Sequence, residues 1–275
     1  MVSVLILTKN EEQDLPGCLA SVAWCDDIHV FDSFSEDRTV EIAKAAGAQV
    51  IQRKFDGYAS QRNAAMTIPS FKYDWLFILD ADERIPEALK VEIEVKLRTC
   101  PEEVKGFRIR RRDFLGKTWL KHAQISPFYI RLVRRGYAGY HREINEVMEV
   151  NGQVVDLQSY FDHYPFSKGY QHWLDKHNVY SSMEAKRWME EHEQQLHFSW
   201  KKALFSKDFN EKRYHQKGLY YKIPGRPLIK WLYMMFWRRA ILDRRAGLTY
   251  ATLQSIYEYF IVLKTKELIS KQRSK

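Results

Sequence analysis

Cysteine is scarce in this chain of 275 residues: only Cys18, Cys25 and Cys100 occur, with no Cys-x-x-Cys pair. That excludes a disulfide framework and a cysteine-ligated zinc site, and it points to a reducing compartment. Long apolar runs are missing too. The longest, near the C-terminus, falls far short of the roughly 20 residues that a membrane span needs. The N-terminus enters "VSVLILT" directly, without the basic leader and cleavage pattern of a secretory signal. No glycine-rich turn follows this first apolar segment. The sequence there is "TKNEEQDLPG", so a Rossmann-type dinucleotide site and hydride transfer are not expected. A Walker-type phosphate loop, an internal repeat and a low-complexity linker are absent as well.

What is there is an ordinary globular composition, 45% hydrophobic and 29% charged, in a chain long enough to bury a proper core. Charge is divided unevenly. Residues 1–100 carry 11 Lys and Arg against 17 Asp and Glu, whereas the remainder carries 33 against 18. The division suggests a catalytic unit followed by a region that meets something anionic.

Strand and helix signals alternate through the first third. "VSVLILT", "DIHVFDS", "AQVIQRKF" and "WLFILDADE" read as strands. Between them "EEQDLPGCLASVAW", with acids in its first turn, "EDRTVEIAKAAG", closed by Gly47, and "YASQRNAAMTI" read as helices. Such units predict an α/β fold, a mostly parallel sheet with helices on both faces. Ligands of these sheets bind outside the carboxyl ends of the strands. Three polar clusters fall at those ends, Thr8–Glu11, Asp32–Asp37 and Asp80–Glu83, and they should converge. From about residue 106 the texture changes. "GFRIRRRDFLG", "YIRLVRRG" and "HREINEVMEV" read as arginine-rich antiparallel strands, and the chain from Ser167 onward reads as helical. "IPGRP" breaks the helices, and the last one carries Leu253, Ile256, Tyr257, Phe260 and Leu263 on one side. The domain boundary is placed between residues 165 and 166.

The sharpest feature is "YDWLFILDADERIP". A continuous apolar run from Trp75 to Leu79 suits a strand buried on both faces, and Asp80, Asp82 and Glu83 follow at its end. With no glycine loop, a metal ion is the obvious means of holding a diphosphate. Asp80 and Asp82 point the same way on an extended strand end, which suits a hard divalent cation bound with substrate phosphates. The alternative is a solvated acidic turn capping the helix near Pro86. Glu83 and Pro86 are assigned to the start of that helix. Asp32 can accept hydrogen bonds from a base or ribose, with Ser35 or Asp37 left to cap the next helix. Arg62, in "QRNAA", can meet nucleotide or phosphate, or can be a surface charge.

Taken in order, "VSVLILTKNEEQDLPGCLASV", "VFDSFSEDRTVEIA", "QRNAA" and "DWLFILDADERIP" resemble the N-terminal half of family 2 glycosyltransferases. These are inverting enzymes of the GT-A fold that use nucleotide-sugar donors. "HREINEVMEVNG", "FDHYPF", "WLDKHNVYSSMEA" and "RRAILDRRAGLTYATLQSIYEYF" extend the similarity over nearly the whole chain. They resemble the bacterial subgroup that glucosylates the lipopolysaccharide inner core, the β-1,4-glucosyltransferase type. The resemblance implies a Rossmann-like GT-A domain over residues 1–165 and a helical, basic, acceptor- and membrane-proximal region over 166–275. It implies a UDP-sugar donor, a lipid-linked saccharide acceptor and a divalent cation, Mg2+ or Mn2+. Thr8, Asn10, Glu11, Asp32, Arg62 and Asp80 become donor-binding residues, Asp32 at uracil and Asp80 at ribose or a metal-bound water. Asp82 becomes the direct metal ligand, joined by His163 of "FDHYPF" at metal or diphosphate. Glu146 of "INE" becomes the catalytic base, with Glu143 as the alternative. The chain departs from the family at Phe34 and Arg244, where glycine is common, and at Glu36, where a small hydroxylated residue is usual.

In the basic second half "WLYMMFW", flanked by Lys230 and Arg238–Arg239, interleaves cations with aromatics. A nucleic-acid surface and a helical core are the rival readings. The cluster is hard to bury whole, which favours docking on a membrane surface over nucleic acid. The protein is therefore expected in the cytoplasm, peripheral on the inner face of the cytoplasmic membrane. A same-fold enzyme acting on a polyprenyl phosphate or capsule acceptor is the alternative among transferases.

Overall fold

The computed structural model describes residues 1–141, 147–193, 199–206, 208–221 and 223–273. They form two compact units, residues 1–119 with 125–167, and residues 120–124 with 168–275.

The first unit opens with β1 (Ser3–Thr8), α1 (Leu15–Ser21), β2 (Ile28–Asp32), α2 (Thr39–Ala45), β3 (Gln49–Gln52), α3 (Tyr58–Thr67) and β4 (Trp75–Asp80). It continues with β5 (Glu83–Arg84), α4 (Glu87–Arg98), β6 (Val104–Leu115), β7 (Thr118–Trp119), β8 (Phe128–Arg134), β9 (Ala138–His141), β10 (Val147–Val150) and β11 (Gln153–His163). The main sheet runs β3-β2-β1-β4-β8-β6-β11-β5, with β7 paired to β6. Its first four strands are parallel. β8 runs antiparallel to both β4 and β6, and β11 runs parallel to β6. The two-residue β5 then turns back antiparallel on β11, pairing Asp162 with Arg84 and His163 with Glu83.

The strand pleat explains the apolar runs. Val4, Ile6, Phe77 and Leu79 pack with Leu15 and Leu19 of α1 and Leu89 and Ile93 of α4. Leu5, Leu76 and Ile78 pack on the other face with Ala65 of α3, Phe31 and Phe71. Leu76 through Leu79 are buried almost completely, each contributing about 1.5–3 kcal/mol of transfer free energy. The run at 75–79 is therefore a core strand, and its acids stand at the rim.

Local expectations fail in three places. α1 begins only at Leu15, with Pro16 in its first turn and no acid there; Glu11, Glu12 and Asp14 belong to the loop before it. Glu83 does not start the helix after β4. It lies in β5 and is buried, while α4 begins at Glu87 with Pro86 as the preceding extended residue. "HREINEVMEV" is not one strand: β9 and β10 form an antiparallel pair, and residues 142–146 lie outside the described residues.

The second unit holds α5 (Gly169–Glu193), α6 (Trp200–Phe205), α7 (Phe209–Tyr221), α8 (Arg226–Leu232) and α9 (Arg244–Arg273). A π-turn over Tyr233–Trp237 and a 3-10 turn over Ala240–Asp243 connect the last two. Trp173 stacks on His177 at 3.5 Å, and His177 meets Tyr257 edge-on at 5.0 Å, joining α5 to α9. Glu258 of α9 holds Arg226 of α8 at 2.9 Å in a buried pair. Asp243 accepts from the backbone amides of His122 and Ala123 at 2.9 and 2.7 Å, which ties residues 120–124 to this unit. The buried side of α9 carries Tyr250, Leu253, Glu258, Ile261 and Thr265, whereas Ile256 and Leu263 face outward. The expected apolar side is thus rotated, because two of its members belong to an exposed surface. Among the described residues no helix is long and apolar enough to cross a membrane.

Candidate active site

The parallel pairing puts the ends of β1, β2 and β4 side by side, with Thr8 opposite Asp32 and Leu7 opposite Asp80. The loops that follow β1 and β2 are stitched together. Ser35 Oγ accepts from the Asn10 amide at 2.8 Å, while the Glu36 amide donates to Asn10 Oδ1 at 2.9 Å. The Glu11 amide donates to Thr39 Oγ1 at 2.7 Å, and the Glu12 amide to Asp37 Oδ2 at 3.1 Å. Asn10 sits at φ +56, a left-handed position that asparagine tolerates. Phe34 sits at φ +59, which is costly for a bulky residue. The common glycine of the family would suit this backbone. Arg244 repeats the pattern in the second unit, at φ +55 and ψ −135.

Asp32 lies beneath these loops with no exposed surface. Its carboxylate accepts from Thr8 Oγ1 and Gln52 Nε2, both at 2.9 Å, and from the amide and hydroxyl of Ser35. In this arrangement Asp32 holds the loop's shape from inside, and a base would reach it only by displacing one of those donors. Ser35 and Asp32 thus act together, and Asp37 Oδ1 accepts from the Thr39 backbone amide at 3.0 Å.

The acids after β4 part company. Arg62 Nη2 lies 3.0 Å from Asp80 Oδ1, and Arg131 Nη2 lies 3.0 Å from Asp80 Oδ2. Burial opposes ionisation of Asp80, but the two guanidiniums override it and hold the carboxyl well below its usual range. Arg131 also bonds Glu83 Oε1, while Glu83 Oε2 accepts from the Asp80 amide at 3.0 Å. Burial raises the Glu83 carboxyl above the ordinary carboxylate range.

Asp82 turns to His163 instead, its Oδ2 3.2 Å from Nε2, and the other ring nitrogen faces Asp113 Oδ1 at 2.5 Å. Burial disfavours the imidazolium, yet the two carboxylates outweigh it and lift His163 to about 9. This meeting depends on β5 pairing with β11, which lays residue 83 against residue 163.

Among the described residues no group of three or more His, Cys, Asp and Glu side chains is gathered for a metal ion. Asp82 and His163 nevertheless suit part of one coordination sphere. Their 3.2 Å separation is close to the roughly 3 Å between adjacent ligands of an ion with bonds of about 2.1 Å. A carboxylate on the far nitrogen, here Asp113, is the usual partner of a metal-binding imidazole. A hard ion such as Mg2+ takes one or two protein carboxylates and completes its sphere with water and substrate phosphate.

The structure therefore brings together Thr8 with Asp32, Asn10 and Glu11 with the loop after β2, Arg62 with Asp80, and Asp82 with His163. Glu146 and Glu143 lie outside the described residues. Arg131, Glu83 and Asp113 were missed as members of the site. A signal for Arg131 exists, since an arginine inside the apolar "YIRLV" must find a carboxylate if the strand is buried.

This sheet, with four parallel strands continued by antiparallel β8 and an acidic rim after β4, is the GT-A arrangement of a sugar-transferring enzyme. A model of glycosyl transferase family 2 matches residues 3–150, and the chain belongs to that family as a glycosyltransferase. The lipopolysaccharide core biosynthesis glycosyltransferase LpsC of Rhizobium meliloti is 30% identical over 199 residues, which cover 69% of this chain and 72% of LpsC. An uncharacterized glycosyltransferase of Rickettsia typhi is 29% identical over 204 residues, 67% of either chain. Among solved structures, S. aureus TarS aligns over 99% of this chain and 91% of that one, with 14% identity and a TM-score of 0.48. Glucosyl-3-phosphoglycerate synthase from Mycobacterium tuberculosis, in complex with phosphoglyceric acid, aligns over 59% and 71% with 16% identity and a TM-score of 0.44.

Proposed function

We infer that the chain is an inverting transferase that moves a hexose, glucose first among candidates, from a UDP-sugar to a saccharide of the lipopolysaccharide inner core. The observation that carries this reading is the corner where Asp82 and His163 stand 3.2 Å apart at the rim of the parallel strands. The donor lies along that rim. Thr8, Asn10, Glu11 and Asp32 hold the loops against which the nucleotide rests, and Arg62 and Asp80 face its ribose and phosphates. Asp82 and His163 hold a divalent cation, Mg2+ or Mn2+, which when bound stabilises the charge of the departing diphosphate. Glu146 accepts the proton of the acceptor hydroxyl, a role that contributes about 10²–10⁴-fold; Glu143 is the alternative base. The name of LpsC supports the lipopolysaccharide acceptor over a polyprenyl phosphate or capsule saccharide.

The second unit supports a membrane-bound acceptor. Leu228, Phe236, Trp237, Ile241 and Leu242 are each more than half exposed, while Met234 and Met235 of the same segment are buried. Arg239, Arg244 and Arg245 are exposed beside them. Aromatics and cations presented together suit the headgroup level of an anionic membrane, so the enzyme works at the inner face of the cytoplasmic membrane. Nucleic acid is not a partner in this reading.

A panel of nucleotide-sugars, assayed for hydrolysis and for transfer to truncated inner-core lipopolysaccharide, tests the function. Release of UDP from one sugar with transfer to that acceptor is expected. Absence of both with every donor overturns it. Glu146→Gln should keep donor binding and lose turnover by at least about 10²-fold. Flotation with anionic vesicles tests the membrane assignment, which fails if no protein floats even at low salt.

A further inference from the structure

Asp82 stands between β4 and the two-residue β5, in a turn with little regular backbone pairing to hold it. A side chain holds it instead. Arg84 folds back and donates from Nη1 to the carbonyls of both Ala81 and Glu83, each at 2.8 Å. The carbonyl between them, that of Asp82, accepts from the Tyr164 amide at 2.9 Å. Three consecutive carbonyls around the candidate cation ligand are therefore tied, and its carboxylate points to His163 Nε2 at 3.2 Å.

The guanidinium of Arg84 is itself seated. Nη2 donates to the carbonyl of Asp14, the residue before α1, at 2.8 Å and lies 3.7 Å from the Asp14 carboxylate. Asp14 is buried and accepts from the Ser167 hydroxyl at 2.7 Å. The Tyr164 ring lies 5.5 Å from the guanidinium carbon, within the range of a cation–π contact. The seat also needs a bare backbone at Gly17 of α1. A Cβ there would come within 2.6 Å of Arg84 Nε and 2.7 Å of Nη2. Gly17 is not among the glycines with positive φ, so room for the guanidinium is the reason for a helical glycine that costs about 0.5–1 kcal/mol relative to alanine.

Holding a ligand from behind prepares it for an ion. Outer hydrogen bonds that orient metal-binding side chains contribute about 10–100-fold to metal affinity. The charge of Arg84, two residues from Asp82, acts in the opposite direction, because a guanidinium near a cation repels it. Its two effects on a bound cation therefore differ in sign.

We propose that Arg84 is a positioning residue for the cation. It clamps the turn of residues 81–83 to the Asp14 carbonyl, so that the Asp82 carboxylate stands beside His163 before the ion arrives, and Gly17 is small in order to admit it. The assignment deepens the transferase reading above and rests on it, since that reading gives the cation to Asp82 and His163.

The test is Mn2+ binding to the full chain, followed by loss of the free ion's EPR signal, with the melting temperature of each metal-free variant recorded alongside. Arg84→Met keeps the stem and removes the donors. It should weaken Mn2+ binding about tenfold or more, although loss of the positive charge alone would tighten it. Arg84→Lys, a point charge without the fork, should restore at most part of the affinity. Gly17→Ala keeps every donor but displaces the guanidinium, and should weaken binding in the same direction. Binding by folded Arg84→Met that is as tight as in the unaltered protein, or tighter, overturns the proposal. So does unchanged binding in Gly17→Ala, which decides alone if Arg84→Met does not fold. Asp82→Ala separates the two readings. If the unaltered protein binds Mn2+ no better than Asp82→Ala, the cation site falls and the clamp with it. If Asp82→Ala loses binding and Arg84→Met does not, the clamp alone falls.

Discussion

Replacing Arg131 by Met should be among the most damaging single changes in the first unit. The side chain is 7% exposed and bridges Asp80 to Glu83, whose own side chain is 1% exposed. Methionine fills similar space but leaves Glu83 as a buried carboxylate without its cation. Breaking a buried pair from one side costs about 3–5 kcal/mol, which in a chain of this size lowers the melting temperature by roughly 10 °C. Asp80 is protected in part, because Arg62 still holds it. The penalty must depend on pH. With Arg131 present the folded-state pKa of Glu83 is already lifted to about 7, and in the variant it rises further. Below that pH Glu83 is protonated in both folded proteins, so the charge-dependent part of the loss should be absent near pH 5, should grow as the pH rises through about 7, and should be full only above the variant's own raised value. The second change Glu83→Gln removes the orphaned charge and should recover a substantial part of the loss at high pH. Denaturant melts of the two variants at pH 9 and pH 5 measure this. A loss under about 1 kcal/mol at pH 9, or no recovery there in the double variant, refutes the account of this cluster.

Phe34→Gly should stabilise the protein by a few tenths to about 1 kcal/mol, since relief at φ +59 outweighs the freedom glycine adds to the unfolded chain. The Lys9 contact to the backbone carbonyl of Phe34 is kept, and an unchanged or lower melting temperature counts against strain at this position. His163 should titrate near 9 by NMR in metal-free protein. Because its folded pKa is raised, its contribution to stability is full below about 6.5 and fades as the pH passes 9. Saturating Mg2+ should lower that midpoint by competing for Nε2. A midpoint near 6.5, or one indifferent to the cation, contradicts the pairing with Asp82.

How much was legible depended on the range of each interaction. The strand at 75–79 declared itself because burial on both faces leaves a continuous apolar run, and Gly47 marked the end of α2 by its positive φ of 79. The start of α1 was misplaced because Glu11, Glu12 and Asp14 look like a first helical turn. Glu11 and Glu12 serve instead to bind the loop after β2, and Asp14 accepts from the Ser167 hydroxyl. Glu83 was given to a helix for the same reason. Its true partner, Arg131, lies 48 residues away, and no local pattern connects them. The two-residue β5 has no signal of its own, so the approach of His163 to Asp82 came only through likeness to a family. That likeness also marked Phe34 and Arg244 as departures from glycine, and the backbone supplies the reason, since both adopt positive φ.

The central claim is that Asp82, with His163, holds the cation that meets the donor's diphosphate. Hydrolysis of UDP-glucose, with and without Mn2+ or Mg2+, compared between the unaltered protein and Asp82→Ala, tests it most directly. UDP release should require the cation in the unaltered protein and should fall by at least about 10²-fold in the variant. Release that needs no divalent cation, or that survives in Asp82→Ala, contradicts it.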